Sequence, residues 1–361
     1  MPPSQRFGEP RRSSQESEAS GGGGPRRRGK SGAPRRVRNA GSATALALLL
    51  VLAGVSPVLA VERYALVVTG ASGGEPYGQK YDKWRISLLA TLREKFGYPD
   101  DHLFALAESE SRGVGKATRE NVRRVLADLQ RRLTKDDLLL VLLIGHGTSL
   151  DGGDEAKFNL VGPDLTASEW SELLKPIPGR LVFVDTTAAS FPFMHKIAGP
   201  GRLVLTATDS AAQQFETVFP EFFVKAFEDP VADLDKNGRV SVLEAFGYAS
   251  AGVRQWYEER GQLPTERPLL DDNGDGIGRE ADSPGPDGTI ASVTYLDPGV
   301  PPFVAGDTAL TALLKRRAEL EAEVEDLKAR RSLMPPEVYD AQLEKILLEL
   351  ARLSAQIRSK S

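Results

Sequence analysis

Two uninterrupted apolar runs lie near the middle of the chain, and each is followed by a short polar segment. Residues 138–144 contain only Leu, Val and Ile and precede Gly-His-Gly, whereas residues 181–184 precede Asp-Thr-Thr. Neither run alternates apolar with polar positions, a pattern typical of parallel strands that helices cover on both faces. An amphipathic segment over residues 166–174 separates them. The pattern therefore predicts strand, helix and strand, with both polar segments at the carboxyl edge of a sheet, where ligands bind in open α/β folds.

Strand-like and helix-like segments alternate along residues 61–230, which we interpret as one domain. In the helix predicted to follow the first strand, we expect Trp84, Ile86 and Leu88 on the buried face. Such alternation predicts an α/β fold with a parallel sheet flanked by helices. The further predicted strands cover residues 64–69, 102–106 and 202–208, and the predicted helices cover residues 79–96, 118–133 and 220–227.

The polar segments after the two central strands resemble those of caspase and legumain type cysteine peptidases, legumain-like members most of all. In that family one strand ends in His-Gly with the catalytic histidine, and the next buried strand ends near the nucleophilic cysteine. Here His146 occupies the histidine position and Thr187 the cysteine position, and the chain contains no cysteine. The resemblance covers about residues 62 to 230 and implies a caspase-like sheet. It also implies a catalytically silent protein that binds a peptide or protein partner in the former substrate cleft.

Thr187 leaves three interpretations of the sheet edge open. A threonine hydroxyl needs a base within hydrogen-bond reach, about 2.6–3.2 Å, before it can attack a substrate. Thr187 could therefore be a hydrogen-bonded cap of the sheet, or the nucleophile of a working hydrolase in which His146 is the base. Within the hydrolase interpretation, Ser190 is a further nucleophile candidate, although no Gly-x-Ser-x-Gly elbow surrounds it. The third interpretation, beside the cap and the hydrolase, is that the protein is a structural component of the cell envelope.

Residues 233–244 match the EF-hand calcium loop. Oxygen-bearing side chains stand at loop positions 1, 3, 5 and 9, Gly238 at position 6 and a glutamate at position 12. Ca²⁺ takes six to eight oxygen ligands, and the glycine permits the sharp turn that brings them together. The alternative is a plain Asp/Asn/Gly turn. The predicted ligands are Asp233, Asp235, Asn237, Ser241 and Glu244, with the backbone carbonyl of Arg239.

A second, weaker calcium loop begins at Asp271. Its predicted ligands are Asp271, Asn273 and Asp275, with Asp282 at position 12. Glycine replaces the apolar residue of position 8, and no helix-forming sequence flanks this loop. We assign residues 231–285 as an EF-hand-like calcium-binding segment that contains both loops.

The N-terminal residues predict export. Residues 1–40 are rich in Gly, Ser, Pro and Arg, with ten basic and three acidic residues, and are expected to be disordered. Residues 41–60 combine an apolar run with Val-Leu-Ala, which predicts a signal peptide that is cleaved after Ala60. A start at Val37 would make this an ordinary signal peptide, and an uncleaved leader would instead be a single membrane anchor. The predicted location is periplasmic or extracellular.

The remaining chain is acidic, with 36 basic and 47 acidic residues after residue 40. Because nucleic-acid binding requires a basic surface, this balance predicts no nucleic-acid partner. Residues 286–306 are predicted to be a linker that includes an edge strand over residues 290–296. Residues 307–361 carry near-heptad apolar positions interrupted by Pro335-Pro336. They predict a helical hairpin packed on its own protein or a coiled coil through which copies self-associate.

Overall fold

The computed structural model describes residues 61–150, 155–213, 215–283, 285–299, 312–313, 316–317, 320, 323–324, 327 and 334–358. The chain divides into two units, and every described residue belongs to the larger one, Val58–Ser361. The predictions of a disordered basic segment and a signal peptide fall on residues outside the described ranges.

A seven-stranded sheet forms the centre of the fold. Its strand order is β10-β9-β8-β4-β1-β2-β3, and all neighbours are parallel except β10, which runs antiparallel to β9. A small antiparallel sheet has the order β5-β6-β7. The strands are β1 (Arg63–Thr69), β2 (Leu103–Ala107), β3 (Val114–Lys116), β4 (Leu138–Ile144), β5 (Gly147–Leu150), β6 (Glu155–Phe158), β7 (Leu165–Thr166), β8 (Arg180–Asp185), β9 (Arg202–Thr206) and β10 (Leu269–Asp271).

Helices cover both faces of the large sheet, which confirms the predicted α/β class with a mostly parallel sheet. Alternate residues of β1, β4 and β8 enter two separate cores, because successive side chains of a strand point to opposite faces. Helices α1, α5 and α6 complete one core, and α2, α3 and α4 complete the other. The helices are α1 (Glu75–Ala90), α2 (Arg119–Arg132), α3 (Ala167–Leu174), α4 (Phe191–Ile197), α5 (Phe219–Ala226), α6 (Val242–Glu258) and α7 (Pro336–Arg358).

Helix α1 differs from the prediction at one core position. It buries Trp84 and Leu88, as expected, but Ile86 is 58% exposed. Residues four apart share one face of a helix, whereas a residue two positions from each of them lies on the opposite face. The prediction for Ile86 was therefore wrong.

The described part of the predicted linker is packed against the domain. Ala291 and Leu296 are fully buried in the core that contains α6. Residues Ala291–Val293 form a 3-10 turn, and the expected edge strand is reduced to one β-bridge between Ser241 and Tyr295. The strand prediction was wrong because this segment packs against the N-terminus of α6. There the Val242 amide donates to the Thr294 carbonyl at 2.8 Å.

Helix α7 contacts an earlier helical segment of the tail. Leu353 and Ile357 of α7 form a small buried cluster with Leu320. Beside this cluster, Arg316 and Glu349 form an ion pair of 2.9 Å. The tail therefore has an apolar contact of its own, distinct from the two cores of the sheet.

Candidate functional site

The first predicted calcium loop connects a 3-10 turn, Pro230–Ala232, to the start of α6. Its backbone is left-handed at Lys236 (φ 58°) and Gly238 (φ 86°), which turns the chain back on itself. The carboxylate of Asp233 lies inside this turn. Its Oδ1 accepts from the Asn237 amide at 3.0 Å and its Oδ2 from the Gly238 amide at 2.8 Å. The loop is thereby wrapped around an acidic side chain.

Three carboxylates converge in this loop. Asp233, Asp235 and Glu244 each place an oxygen within 4.8 Å of the others. Glu244 is held by both oxygens: Oε1 accepts from the Leu234 amide at 2.8 Å, and Oε2 accepts from the Ser241 hydroxyl at 2.8 Å. Burial, together with the nearby Glu244 charge, raises the pKa of Asp235. A group of oxygen ligands with this charge suits a hard divalent cation.

The other predicted ligands of the first loop have defined partners. Asn237 Oδ1 accepts from the Arg239 amide at 2.8 Å, and Ser241 caps α6 by accepting from the Glu244 amide at 3.2 Å. The Arg239 guanidinium lies 3.7 Å from the centre of the Tyr295 ring and donates to Asp297 at 2.8 Å. The Arg239 side chain is therefore paired with Asp297, which lies outside the loop, and not with one of the loop carboxylates.

The second predicted loop resembles the first in the hydrogen bonds of its first residues but differs from it at position 12. Asp271 Oδ2 accepts from the Gly276 amide at 2.7 Å, and Asn273 Oδ1 accepts from the Asp275 amide at 2.8 Å. Asp282, however, forms an ion pair of 3.5 Å with Arg254, and its side chain is 64% exposed. Among the described residues that follow Asp282, no helix begins close enough to turn it toward the loop, as α6 does for the glutamate of the first loop. The structure therefore does not bring this residue together with the other predicted ligands.

Asp287, which the sequence analysis missed, contacts the second loop. Its Oδ1 accepts from the amides of Asp272 and Asn273 at 3.2 and 3.3 Å. Its side chain is fully buried, and burial raises the pKa of the carboxyl. The sequence analysis took the acidic residue at position 12, Asp282, and nothing in the spacing pointed to position 17.

His146 follows β4 at the carboxyl edge of the sheet and is half-buried. Its Nε2 lies 3.0 Å from the Ser72 carbonyl oxygen and 3.2 Å from the Tyr81 hydroxyl. The ring also packs edge-on against Tyr77, with 4.9 Å between the ring centres. The histidine is thus fixed by the loop after β1 and by α1.

Thr187 follows the neighbouring strand β8, and it is fully buried. Its amide donates to Asp185 Oδ1 at 2.9 Å, and its hydroxyl makes no hydrogen bond with any described residue. Burial raises the pKa of Asp185 to about 7, against the opposing effect of the hydrogen bond from the Thr187 amide. His146 and Thr187 therefore lie on adjacent strand ends without the hydrogen bond that a nucleophile and its base require.

Ser190 is also fully buried. Its Oγ accepts from the amides of Ala207 and Thr208 at 3.1 and 3.2 Å and lies 3.0 Å from the Thr208 hydroxyl oxygen. These contacts make Ser190 a link between β9 and the start of α4, with no access to a substrate.

A surface cavity beside His146 was not predicted from the sequence. Glu108, the residue directly after β2, accepts from the Ser72 hydroxyl at 2.5 Å and from the Ser72 amide at 3.3 Å. The cavity is lined by these two residues together with Gly74 and Tyr81. Only the glycine-rich character of the loop after β1 could have indicated it.

Glu266 is a second buried carboxylate that the sequence analysis missed. It is 2% exposed and accepts from the amides of Val218 and Phe219 at 2.8 and 3.0 Å and from the Tyr257 hydroxyl at 3.0 Å. Burial raises the pKa of Glu266 to about 7, although each of these three hydrogen bonds lowers it. The residue closes the N-terminus of α5 and belongs to the structure of the core.

Comparisons with known proteins identify no family. No protein-family model matches the chain, and no curated protein matches it. The crystal structure of protein GSU0716 from Geobacter sulfurreducens is similar to it with a TM-score of 0.38 and 14% identity, over 61% of this chain and 97% of that one. In the part of the chain that the structure describes, no helix is both long and apolar enough to cross a membrane.

Proposed function

We propose that this protein binds Ca²⁺ at the loop of residues 233–244. The observation that carries the proposal is the convergence of Asp233, Asp235 and Glu244, whose oxygens lie within 4.8 Å of one another. Three like charges at this separation repel one another, and a divalent cation offsets that repulsion. Asn237 and the carbonyl of Arg239 would complete a ligand set of the kind that Ca²⁺ prefers. Export, if the leader acts as predicted, would place the loop in a calcium-containing medium.

Titration calorimetry on the full chain, after treatment with a chelator, tests this proposal. Glu244→Gln should weaken calcium binding at this loop at least tenfold, since it removes one carboxylate charge. Glutamine can still form the capping box with Ser241, so the variant should keep α6 folded. Glu258→Gln, an exposed change in the same helix, is the matched control and should leave binding unchanged. Unchanged binding in Glu244→Gln would contradict the proposal.

We also propose that the sheet edge is a pseudopeptidase site, which binds a peptide or protein partner without hydrolysing it. The burial of Thr187 supports the absence of hydrolysis, because a substrate could not reach its hydroxyl. The cavity lined by Ser72, Glu108 and Tyr81, beside His146, supports partner binding. The likeness to caspase and legumain peptidases remains a likeness of sequence motifs at His146 and Thr187. A working hydrolase and a structural envelope protein are the alternatives. Hydrolysis of a fluorogenic peptide library by the parent, lost in Thr187→Ala, would identify the working hydrolase.

For the tail, we propose an intrachain helical hairpin. The buried contact of Leu320 with Leu353 and Ile357 supports it. The alternative is a coiled coil between copies. The molar mass of the full chain, measured by light scattering, distinguishes the two. A hairpin leaves the protein monomeric at concentrations where a coiled coil would form dimers.

A further inference from the structure

We infer that residues 271–287 form a second Ca²⁺ site, in which Asp271, Asn273 and Asp275 are joined by Asp287. The closing carboxylate then stands at the seventeenth residue of the loop, whereas position 12 is occupied by Asp282. The inference extends the proposed calcium binding to another site, and its own geometry is independent of the first loop.

The closing carboxylate of each loop is placed by the same two amides. In the first loop, Glu244 Oε1 accepts from the amides of the second and third loop residues, at 2.8 and 3.2 Å. In the second loop, Asp287 Oδ1 accepts from the amides of the second and third loop residues, Asp272 and Asn273, at 3.2 and 3.3 Å. Asp287 thus occupies, relative to its loop, the place that Glu244 occupies in the first.

The first residue of each loop also has the same role. Asp233 Oδ2 accepts from the amide of the sixth residue at 2.8 Å, and Asp271 Oδ2 accepts from the amide of the sixth residue at 2.7 Å. Both sixth residues are glycines with left-handed backbone, Gly238 at φ 86° and Gly276 at φ 76°. The two loops therefore curve in the same way around an aspartate.

A buried oxygen without a partner points to a ligand at the second loop. The Asp287 side chain is 0% exposed, and its Oδ2 accepts no hydrogen bond from any described residue. Arg279 Nε forms an ion pair with this oxygen at 3.8 Å, which is too far for a hydrogen bond, and that nitrogen donates to no described residue. Because a buried carboxylate needs a compensating partner, a cation bound among Asp271, Asn273 and Asp275 would supply what the protein groups do not.

The path of the chain explains why the closing residue comes late. After the loop, Arg279 pairs with Leu270 through two backbone hydrogen bonds of 2.9 and 2.8 Å, so the chain runs back along β10. It returns to the loop only at Asp287. The return is fixed by Asp272 Oδ2, which accepts from the Ala291 amide at 2.7 Å. In the first loop α6 starts at once, and its first turn supplies the glutamate directly.

Calcium titration of the full chain by calorimetry tests the inference. We expect two equivalents of Ca²⁺ for the parent, and loss of one equivalent in Asp287→Asn. Asp282→Asn is the matched control, since it changes the same residue type five positions earlier, and it should retain two equivalents. Two equivalents in Asp287→Asn, or the loss of one in Asp282→Asn, would overturn the assignment.

Failure of this site can be distinguished from failure of the first loop. Glu244→Gln should retain the equivalent bound at the second loop, and the double variant with Asp287→Asn should bind none. A Glu244→Gln variant that loses nothing would contradict the first loop alone. If Asp287→Asn does not fold, Asn273→Ala replaces it, because that side chain is exposed and its loss should weaken only the second equivalent at least tenfold. Unchanged binding of both equivalents in Asn273→Ala would likewise overturn the inference.

Discussion

Gly147 lies so close to Thr187 that a Cβ on the glycine would stand 2.6 Å from the threonine Oγ1. The same Cβ would meet Ala189 at 2.9 Å and the Lys157 carbonyl at 3.1 Å. The second glycine of the Gly-His-Gly sequence is therefore required by the packing of strand ends. It covers the residue that stands at the nucleophile position.

Gly147→Ala should lower the free energy of unfolding by about 1–3 kcal/mol, because the added methyl overpacks a buried contact. Gly247→Ala is the control: this glycine lies inside α6, and a Cβ there meets no atom of a described residue within 4 Å. That change should stabilise the protein by about 0.5–1 kcal/mol through better helix propensity. Urea denaturation measures both, and equal effects would contradict the close contact.

The full chain should hydrolyse no member of a fluorogenic peptide library, with calcium or with chelator. Thr187→Cys should remain inactive as well, since the new thiol would be buried beneath Gly147 without a hydrogen bond to His146. Thr187→Ala and His146→Ala complete the set. Turnover by the parent that disappears in Thr187→Ala would establish a threonine nucleophile and refute the pseudopeptidase proposal.

Stability should fall as the pH rises from about 5 to 7 because of Glu266. Its pKa is raised to about 7 in the folded protein, mainly by burial, and is near 4.5 otherwise. In that window the folded state holds a proton that the unfolded state has released, so the stabilisation present at low pH is lost by pH 7. The change amounts to about 3 kcal/mol. Glu266→Gln should flatten the dependence of the unfolding free energy on pH, measured by urea denaturation from pH 5 to 8.

Asp185 should also make the protein less stable as the pH rises, because its pKa in the folded protein is raised to about 7. Asp185→Asn should therefore flatten the pH dependence further when it is combined with Glu266→Gln. An unchanged slope in both single variants would show that these carboxylates titrate normally in the folded state.

The two left-handed residues of the first loop should respond in opposite ways. Gly238→Ala places a side chain at φ 86° and should lower the free energy of unfolding by about 1 kcal/mol. Lys236 has a left-handed backbone at φ 58°, which glycine adopts without steric cost. Lys236→Gly should therefore raise the free energy of unfolding by a few tenths to about 1 kcal/mol. It also removes a positive charge from beside Asp233, whose carbonyl accepts from Lys236 Nζ at 2.6 Å. We expect tighter calcium binding in Lys236→Gly and weaker binding in Gly238→Ala, both by calorimetry.

The helical tail offers a pair of leucines for comparison. Leu353 is buried against Leu320, whereas Leu347, in the same helix, is 48% exposed. Leu353→Ala should release the tail, with a loss of about 2–4 kcal/mol from its local stability measured by hydrogen exchange. Leu347→Ala should have little effect in a hairpin. If Leu347→Ala instead lowered the local stability of the tail strongly and abolished dimers seen by light scattering, the coiled coil between copies would be favoured.

The central strands could be predicted because residues 138–144 and 181–184 are buried on both faces, and burial of that kind leaves an unbroken apolar run. Ile86 was misplaced because composition, and not helical spacing, suggested a core position. The packing of Thr187 under Gly147 joins two strand ends, and no local pattern encodes it. Asp287 was missed for a related reason, since its approach to the loop depends on how the chain pairs with β10.

The two outermost strands of the large sheet, β3 and β10, contain only three residues each, whereas β1 and β4 contain seven. A short outer strand exposes few unpaired amide and carbonyl groups, and β3 ends in the exposed Lys116. Another extended chain would find little to pair with at either border, and a lysine there would oppose a second copy. The sheet is thereby protected against edge-to-edge aggregation.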